Sequence, residues 1–201
     1  MSDRAGREFP IVTFEAVRLA IPEVVLIRPR RIADSRGYFT VTYAADEFAR
    51  LGIGAVFVQD NQAGSARAGT IRGLHFQHGE HAQAKLMRVV NGAIFDVAVD
   101  LRRSSRTFGR WTGATLTADG AEQLFIPRGF AHGYCTLGDE AVVAYKCDNG
   151  YFPAAEAGIF FADPALAIEW PVSADAAIMS EKDRALPPLA AIRPELLWET
   201  A

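Results

Sequence analysis

Seventeen glycines and ten prolines cut this chain of 201 residues into short segments, most of which alternate apolar and polar residues with a period of two. That period sends successive side chains to opposite faces of a strand, so the chain has many half-buried strands available to it and little long helix. Strands are expected at residues 24–27, 55–59, 70–77, 85–90, 93–101, 112–116, 123–126 and 141–147, with one short helix at 45–51 closed by Gly52. Strands at this spacing, with turn residues between them, predict a mainly β sandwich or barrel with short peripheral helices. No internal repeat, low-complexity tract or linker divides the chain, which reads as a single domain over 1–201 with about 188–201 as a C-terminal tail. Six prolines from Pro153 to Pro194 break the last third into loops that are expected to pack on the barrel. Within it, Ser180 is placed to cap one helical turn carrying Asp183.

Composition narrows the function classes. Half of the residues are apolar and 22% are charged, enough to build a core. Lysine and arginine number 21 against 24 acids, a net charge of −3, which argues against a nucleic-acid binder while leaving room for a local phosphate pocket. No apolar run approaches the roughly 18 residues of a membrane span, and no secretory signal is visible at the start. Cys135 and Cys147 are too few for a disulfide scaffold. A cytoplasmic protein with reduced thiols is expected.

Asn91-Gly92 lies between two alternating runs and is the favoured dipeptide of a two-residue hairpin. Such a hairpin pairs Met87 with Asp96 and makes Lys85 and Asp96 diagonal neighbours. Lys85, Met87 and Val89 then share a face with Ile94, Asp96 and Ala98, opposite a greasy face of Phe95, Val97, Val99 and Leu101. The face with the lysine and the carboxylate reads either as an ordinary solvated ion pair or as part of a site.

The four histidines, His75, His78, His81 and His132, offer a metal-site reading. Pro127-Arg128-Gly129-Phe130-Ala131-His132 matches the Pro-x-Gly-x-x-His half-motif of cupin barrels, in which that histidine often ligates metal. The companion His-x-His is missing, so metal-independent chemistry is expected. His75, in Arg72-Gly73-Leu74-His75-Phe76, sits in a half-apolar setting where a neutral imidazole can act as a base. Tyr145 stands in an expected barrel strand.

Taken in order, the stretches around Val58-Gln59-Asp60-Asn61, Arg72 to Gln77, Ala82 to Leu86, Phe95 to Asp100, Thr107-Phe108-Gly109, Ile126 to Gly133, Tyr145-Lys146 and Ile168 to Pro171 resemble the dTDP-4-dehydrorhamnose 3,5-epimerases. The match runs from about Val24 to about Pro187. The resemblance implies a cupin jelly roll (a double-stranded β-helix) working as a homodimer without metal or cofactor on a dTDP-4-keto-6-deoxyhexose. It makes His75 the general base, Tyr145 the general acid, Asp183 the carboxylate that orients the histidine and Lys85 the cation beside the sugar's C4 oxygen. Arg36, Gln59, Asp60, Asn61, Arg72, His132, Glu156 and Lys182 fall on positions that contact the nucleotide sugar. Tyr151 falls on the aromatic that stacks on the base, with Gly150 where a further aromatic is usual. In Arg36-Gly37-Tyr38-Phe39-Thr40-Val41, Val41 stands where relatives usually carry a glutamate. The residue types suit the chemistry. A proton next to a ketone is weakly acidic, its removal leaves charge on oxygen that Lys85 stabilises, and inversion needs a base and an acid on opposite faces. Asp96 is expected behind Lys85, holding the ammonium charged. Rival readings are a single-carbon epimerase on another nucleotide 4-keto sugar, a non-catalytic nucleotide-sugar-binding cupin and a metal-dependent cupin oxygenase.

Overall fold

A computed structural model describes residues 14–199. In chain order its strands are β1 (Phe14–Arg18), β2 (Val25–Pro29), β3 (Arg31–Asp34), β4 (Gly37–Thr40), β5 (Gln59–Ser65), β6 (Ile71–Gln77) and β7 (Lys85–Asn91). There follow β8 (Ala93–Asp100), β9 (Trp111–Thr117), β10 (Gln123–Ile126), β11 (Phe130–Thr136), β12 (Ala141–Cys147) and β13 (Glu156–Gly158). The helices are short, α1 (Ala45–Arg50) and α2 (Glu181–Arg184). Six strands form one sheet in the order β1-β2-β10-β7-β12-β5, and five form a second in the order β13-β6-β11-β8-β9. β3 and β4 make a separate hairpin. This is the jelly roll implied by the resemblance. Among the described residues no helix is long and apolar enough to cross a membrane.

The alternation of the strands divides their side chains among three apolar layers. Between the sheets lie Met87, Val89, Ile94, Ala98, Leu116, Leu124 and Val143. The outer face of the five-stranded sheet, carrying Leu74, Val97, Val99 and Leu101, is covered by Ile159, Leu166 and Ile192 from the proline-rich last third. The outer face of the six-stranded sheet, carrying Val25, Ile27, Leu86 and Phe125, is covered by Phe48 of α1 and Ile53. Each fully buried aliphatic or aromatic side chain stabilises the fold by about 1.5–3 kcal/mol.

Asn91-Gly92 does not form the expected hairpin. β7 pairs with β10 and β12, whereas β8 pairs with β9 and β11, so the dipeptide turns the chain from one sheet into the other. Gly92, at φ +78°, supplies the left-handed residue that the corner needs. The division of side chains into two faces survives, because it follows from the pleat alone. Lys85 and Met87 meet Asp96 and Ala98 across the interior and not along one sheet. Residues 55–59 are not a strand either. Ala55 and Phe57 pack inward while Val56 and Val58 are exposed, but the paired ladder starts only at Gln59. β11 has no counterpart among the expected strands. All seven of its residues are buried, and a strand covered on both faces shows no alternation.

β6 and β11 approach unusually closely. A Cβ on Gly73 would lie 2.6 Å from both the Cα of Gly133 and the carbonyl oxygen of His132, and Gly73 has φ +123°. The ladder shifts register between His132 and Tyr134 at the same place, with His132 opposite His75. Gly73→Ala meets backbone on one side and a disfavoured φ on the other. It is expected to cost at least about 2 kcal/mol. Differential scanning calorimetry should read this as a fall in Tm of about 4–8 °C for a chain of this size.

Candidate active site

The polar end of the space between the sheets opens into a cavity of about 460 Å3 whose walls include Arg72, His75, Lys85, His132, Tyr134, Tyr145 and Asp183. A second lobe of about 220 Å3 adjoins it and includes Gln59, Asn61, Gln77, Gln83, Tyr151 and Glu156. His75, Lys85 and Tyr145 belong to both lobes and stand at their junction. His75 comes from β6 in one sheet, whereas Tyr145 and Lys85 come from β12 and β7 in the other. Tyr145 is the register partner of Met87, and Lys85 that of Cys147, so phenol and ammonium issue from neighbouring strands on one face.

His75 donates from Nε2 to Asp183 Oδ1 at 2.8 Å. Asp183 is buried on α2, whose first turn is capped as expected: Ser180 Oγ accepts from the Asp183 amide at 3.1 Å. Burial alone would raise the Asp183 pKa, but the His75 imidazole, the Gly73 amide and the Ser180 cap outweigh it and hold it below the usual carboxylate value. An ionised carboxylate only accepts, so Nε2 carries the proton of this bond and Asp183 fixes the orientation of the ring.

His132 is paired too, donating from Nε2 to Asp96 Oδ1 at 2.6 Å, with both side chains buried. Burial lowers the His132 pKa first, and the nearby Lys85 and His75 lower it further against the pull of Asp96. Asp96 thus serves His132, and makes no ion pair with Lys85 of the kind expected from the sequence. The reason is the strand pairing described above, which sets the two residues on opposite sheets. Burial lowers the Lys85 pKa, opposed by Cys147, Asp96 and Glu156, which makes its ammonium a stronger proton donor than an exposed lysine. Burial raises the Tyr145 pKa, so its hydroxyl stays protonated near neutral pH.

Of the expected contact residues, Arg72 lines the first lobe, its guanidinium tied to the Gly64 carbonyl at 2.8 Å. Tyr151 donates its hydroxyl to Glu156 Oε2 at 2.6 Å, and the same oxygen accepts from Lys182 Nζ at 2.6 Å. Lys182 therefore reaches the site only through Glu156. Two residues are not brought in. Asp60 points to the outer face, where Lys146 holds it at 2.8 Å, because neighbours on β5 alternate and Gln59 and Asn61 take the inner side. Arg36 sits at the tip of the β3–β4 hairpin, exposed and bonded to Asp34 at 2.6 Å. Val41, in the position of the missing glutamate, packs against the cluster around Phe48. Tyr134, Gln77 and Gln83 line the cavity without having been singled out from the sequence. Gln77 carries a period-two signal, following His75 by two on β6, whereas Tyr134 lies on the continuously buried β11 and Gln83 precedes β7. His81 stacks on Phe152 with centroids 4.0 Å apart, away from His75 and His132. Among the described residues no group of three or more His, Cys, Asp or Glu side chains is arranged to hold a metal ion.

Taking a proton from one side of a bound molecule and supplying one from the other is the work of an epimerase, and a two-sheet barrel arranged for it defines an acid–base isomerase of cupin type. The family model described as dTDP-4-dehydrorhamnose 3,5-epimerase matches residues 18–191. The chain is 46% identical over 177 residues to the dTDP-4-dehydrorhamnose 3,5-epimerase of Methanothermobacter thermautotrophicus, covering 88% of this chain and 95% of that one. It superposes with a TM-score of 0.85 on the Bacillus anthracis enzyme of that name with TDP and PPi bound, at 46% identity, covering 88% of this chain and all of that one. For a Legionella pneumophila dTDP-6-deoxy-D-glucose-3,5-epimerase in complex with dTDP-4-keto-L-rhamnose the TM-score is 0.89 at 40% identity, covering 94% and 100%. The chain belongs to the dTDP-4-dehydrorhamnose 3,5-epimerase family.

The depressed Asp183 pKa sets a pH dependence. A carboxyl whose folded pKa lies below its unfolded value of about 3.9 adds stability that is complete above that value and lost as pH falls through the folded pKa. In urea titrations Asp183→Asn is therefore expected to lower the unfolding free energy by about 1.5–3 kcal/mol at pH 6. Parent and variant should converge only as the pH is taken below about 3.9 and down through the lowered folded pKa of Asp183.

Proposed function

We infer that the chain is an isomerase that inverts C3 and C5 of dTDP-4-dehydro-6-deoxy-D-glucose, giving dTDP-4-dehydro-L-rhamnose in dTDP-L-rhamnose biosynthesis. The observation that carries this reading is the placement of His75 and Tyr145 on opposing sheets with one cavity between them and Lys85 at its junction. His75 Nδ1 removes the proton next to the C4 ketone, and the Asp183 carboxylate stabilises the imidazolium that forms. Lys85 donates to O4 as the enolate charge develops there. Tyr145 delivers a proton to the opposite face of the same carbon. Arg72 and His132 hold the sugar and diphosphate end, while Gln59, Asn61 and Tyr151 line the lobe for the nucleoside. No metal or cofactor takes part in this scheme.

The proposal extends to a homodimer in the cytoplasm. The β3–β4 hairpin leaves Ile32, Tyr38 and Phe39 exposed around Arg36, which suits an arm laid on a second copy. An arginine outside its own groove, on a position that the resemblance assigns to substrate contact, is accounted for by the groove of that copy. Cys135 and Cys147 are buried free thiols, consistent with a reducing compartment.

Proton NMR in D2O separates the two halves of the reaction. His75→Asn is expected to abolish deuterium incorporation at both C3 and C5. Tyr145→Phe, which keeps the ring and removes the hydroxyl, should still wash deuterium in while inverting about 10² to 10⁴ times more slowly. Inversion at the parental rate in Tyr145→Phe would remove this tyrosine from the mechanism.

A further inference from the structure

The turn from Asn149 to Phe152 carries Tyr151 into the second lobe without belonging to any strand. Its peptide groups are held instead by the side-chain amides of three glutamines. Gln77 Nε2 donates to the Gly150 carbonyl at 3.0 Å and to the His81 carbonyl at 2.8 Å, while its Oε1 accepts from the Phe152 amide at 2.6 Å. Gln83 Nε2 donates to the carbonyls of Asn149 at 2.8 Å and Gly150 at 3.1 Å. Gln59 Oε1 accepts from the Tyr151 amide at 3.1 Å. The Gly150 carbonyl is thus shared by two amides that reach it from different segments. At the far end of the ring, Glu156 fixes the Tyr151 hydroxyl.

An exposed turn without ladder bonds ordinarily retains much of its conformational entropy. Here five hydrogen bonds from glutamines restrain it, and Gln77 is itself buried, so the amide is desolvated to make them. The group so restrained is an aromatic ring, 55% exposed, on the wall of a lobe. A rigid, open aromatic face is what a planar heterocycle stacks on, and fixing it beforehand removes the ordering cost from the binding step. We propose that Gln77 and Gln83 are positioning residues that preorganise Tyr151 as a stacking platform for the pyrimidine base of the substrate. Gln77 lies two residues from His75 on β6, so one strand sets the spacing between the platform and the base that does the chemistry. This inference rests on the reading of the second lobe as the nucleoside site.

The test compares dTDP with inorganic pyrophosphate, which lacks the base, by isothermal titration calorimetry on the full chain. Gln83→Met and Gln83→Glu both keep the length of the side chain and remove its N–H donors. Each is expected to weaken dTDP about tenfold, the scale of one or two hydrogen bonds, while pyrophosphate binds as to the parent. In turnover the KM of the nucleotide sugar should rise by a similar factor with kcat changed less than about threefold, the pattern of lost uniform binding. In a Tyr151→Ala background Gln83→Met should add no further loss, since its effect passes through that ring. Unchanged dTDP affinity in the variants, equal weakening of both ligands, or additive losses in the double variant would each overturn the platform. A parent chain that binds no dTDP would overturn the nucleoside reading of the lobe and the platform with it. A parent that binds dTDP, with variants that bind it equally well, would overturn the platform alone.

Discussion

Gly73 and Gly133 let the backbones of β6 and β11 lie closer than any pair of side chains would permit, and the chemistry of the cavity starts there. The contact puts His75 opposite His132 in the ladder and shifts the register immediately afterwards. It also leaves the Gly73 amide facing Asp183 Oδ2, so the carboxylate that orients His75 is anchored to the same strand as His75. A methyl group at this spot would move the base, its carboxylate and the neighbouring histidine together.

Two histidine–aspartate pairs sit side by side and differ in their surroundings. His132 and Asp96 are both buried, with only an edge of His132 in the cavity wall, and Asp96 Oδ2 has no hydrogen-bond partner among the described residues. Burial keeps His132 neutral and leaves it little room to exchange protons with a bound molecule. His75 has the same kind of partner but opens to both lobes. In the proposed mechanism it is therefore access, and not residue type, that singles out His75 as the base. The same contrast holds among the tyrosines, since burial pushes Tyr134 up to about 12 while Tyr145 stands where the lobes meet.

Much of this was readable from residue order, and the rest was hidden for identifiable reasons. Period-two alternation gave strands at 85–90, 123–126 and 141–147 close to where they form, and it sorted Met87 and Ile94 from Leu86 and Phe95 correctly. Alternation carries no information about which strand is the neighbour, so the Asn91-Gly92 corner was read as a hairpin. β11 escaped because continuous burial erases the pattern, even though its His132 stood out by motif. The cap at Ser180 was legible because it is local, and the bond it enables, from His75 to Asp183, spans 108 residues and was reached only through family resemblance. The resemblance groups Asp60 with Gln59 and Asn61, whereas the pleat of the strand turns its carboxylate to the outer face beside Lys146. The clamp on the 149–152 turn has no local signature, because its bonds join Gln59, Gln77 and Gln83 to a segment 66 to 92 residues further along the chain.

Because His75 rides on one sheet and Tyr145 on the other, the gap between the sheets is, in the proposed mechanism, also the distance that separates proton removal from proton delivery. Facing sheets stand about 10 Å apart, and protein interiors transmit changes of volume because they are packed as tightly as crystals. Here Ile94, Leu116 and Leu124 fill that gap in the cluster against which Tyr145 packs, without themselves lining either lobe. They act as a shim. Trimming or enlarging them tilts one wall of the cleft against the other, so the aperture can be re-gauged for a slimmer or bulkier sugar while every side chain that meets it stays the same.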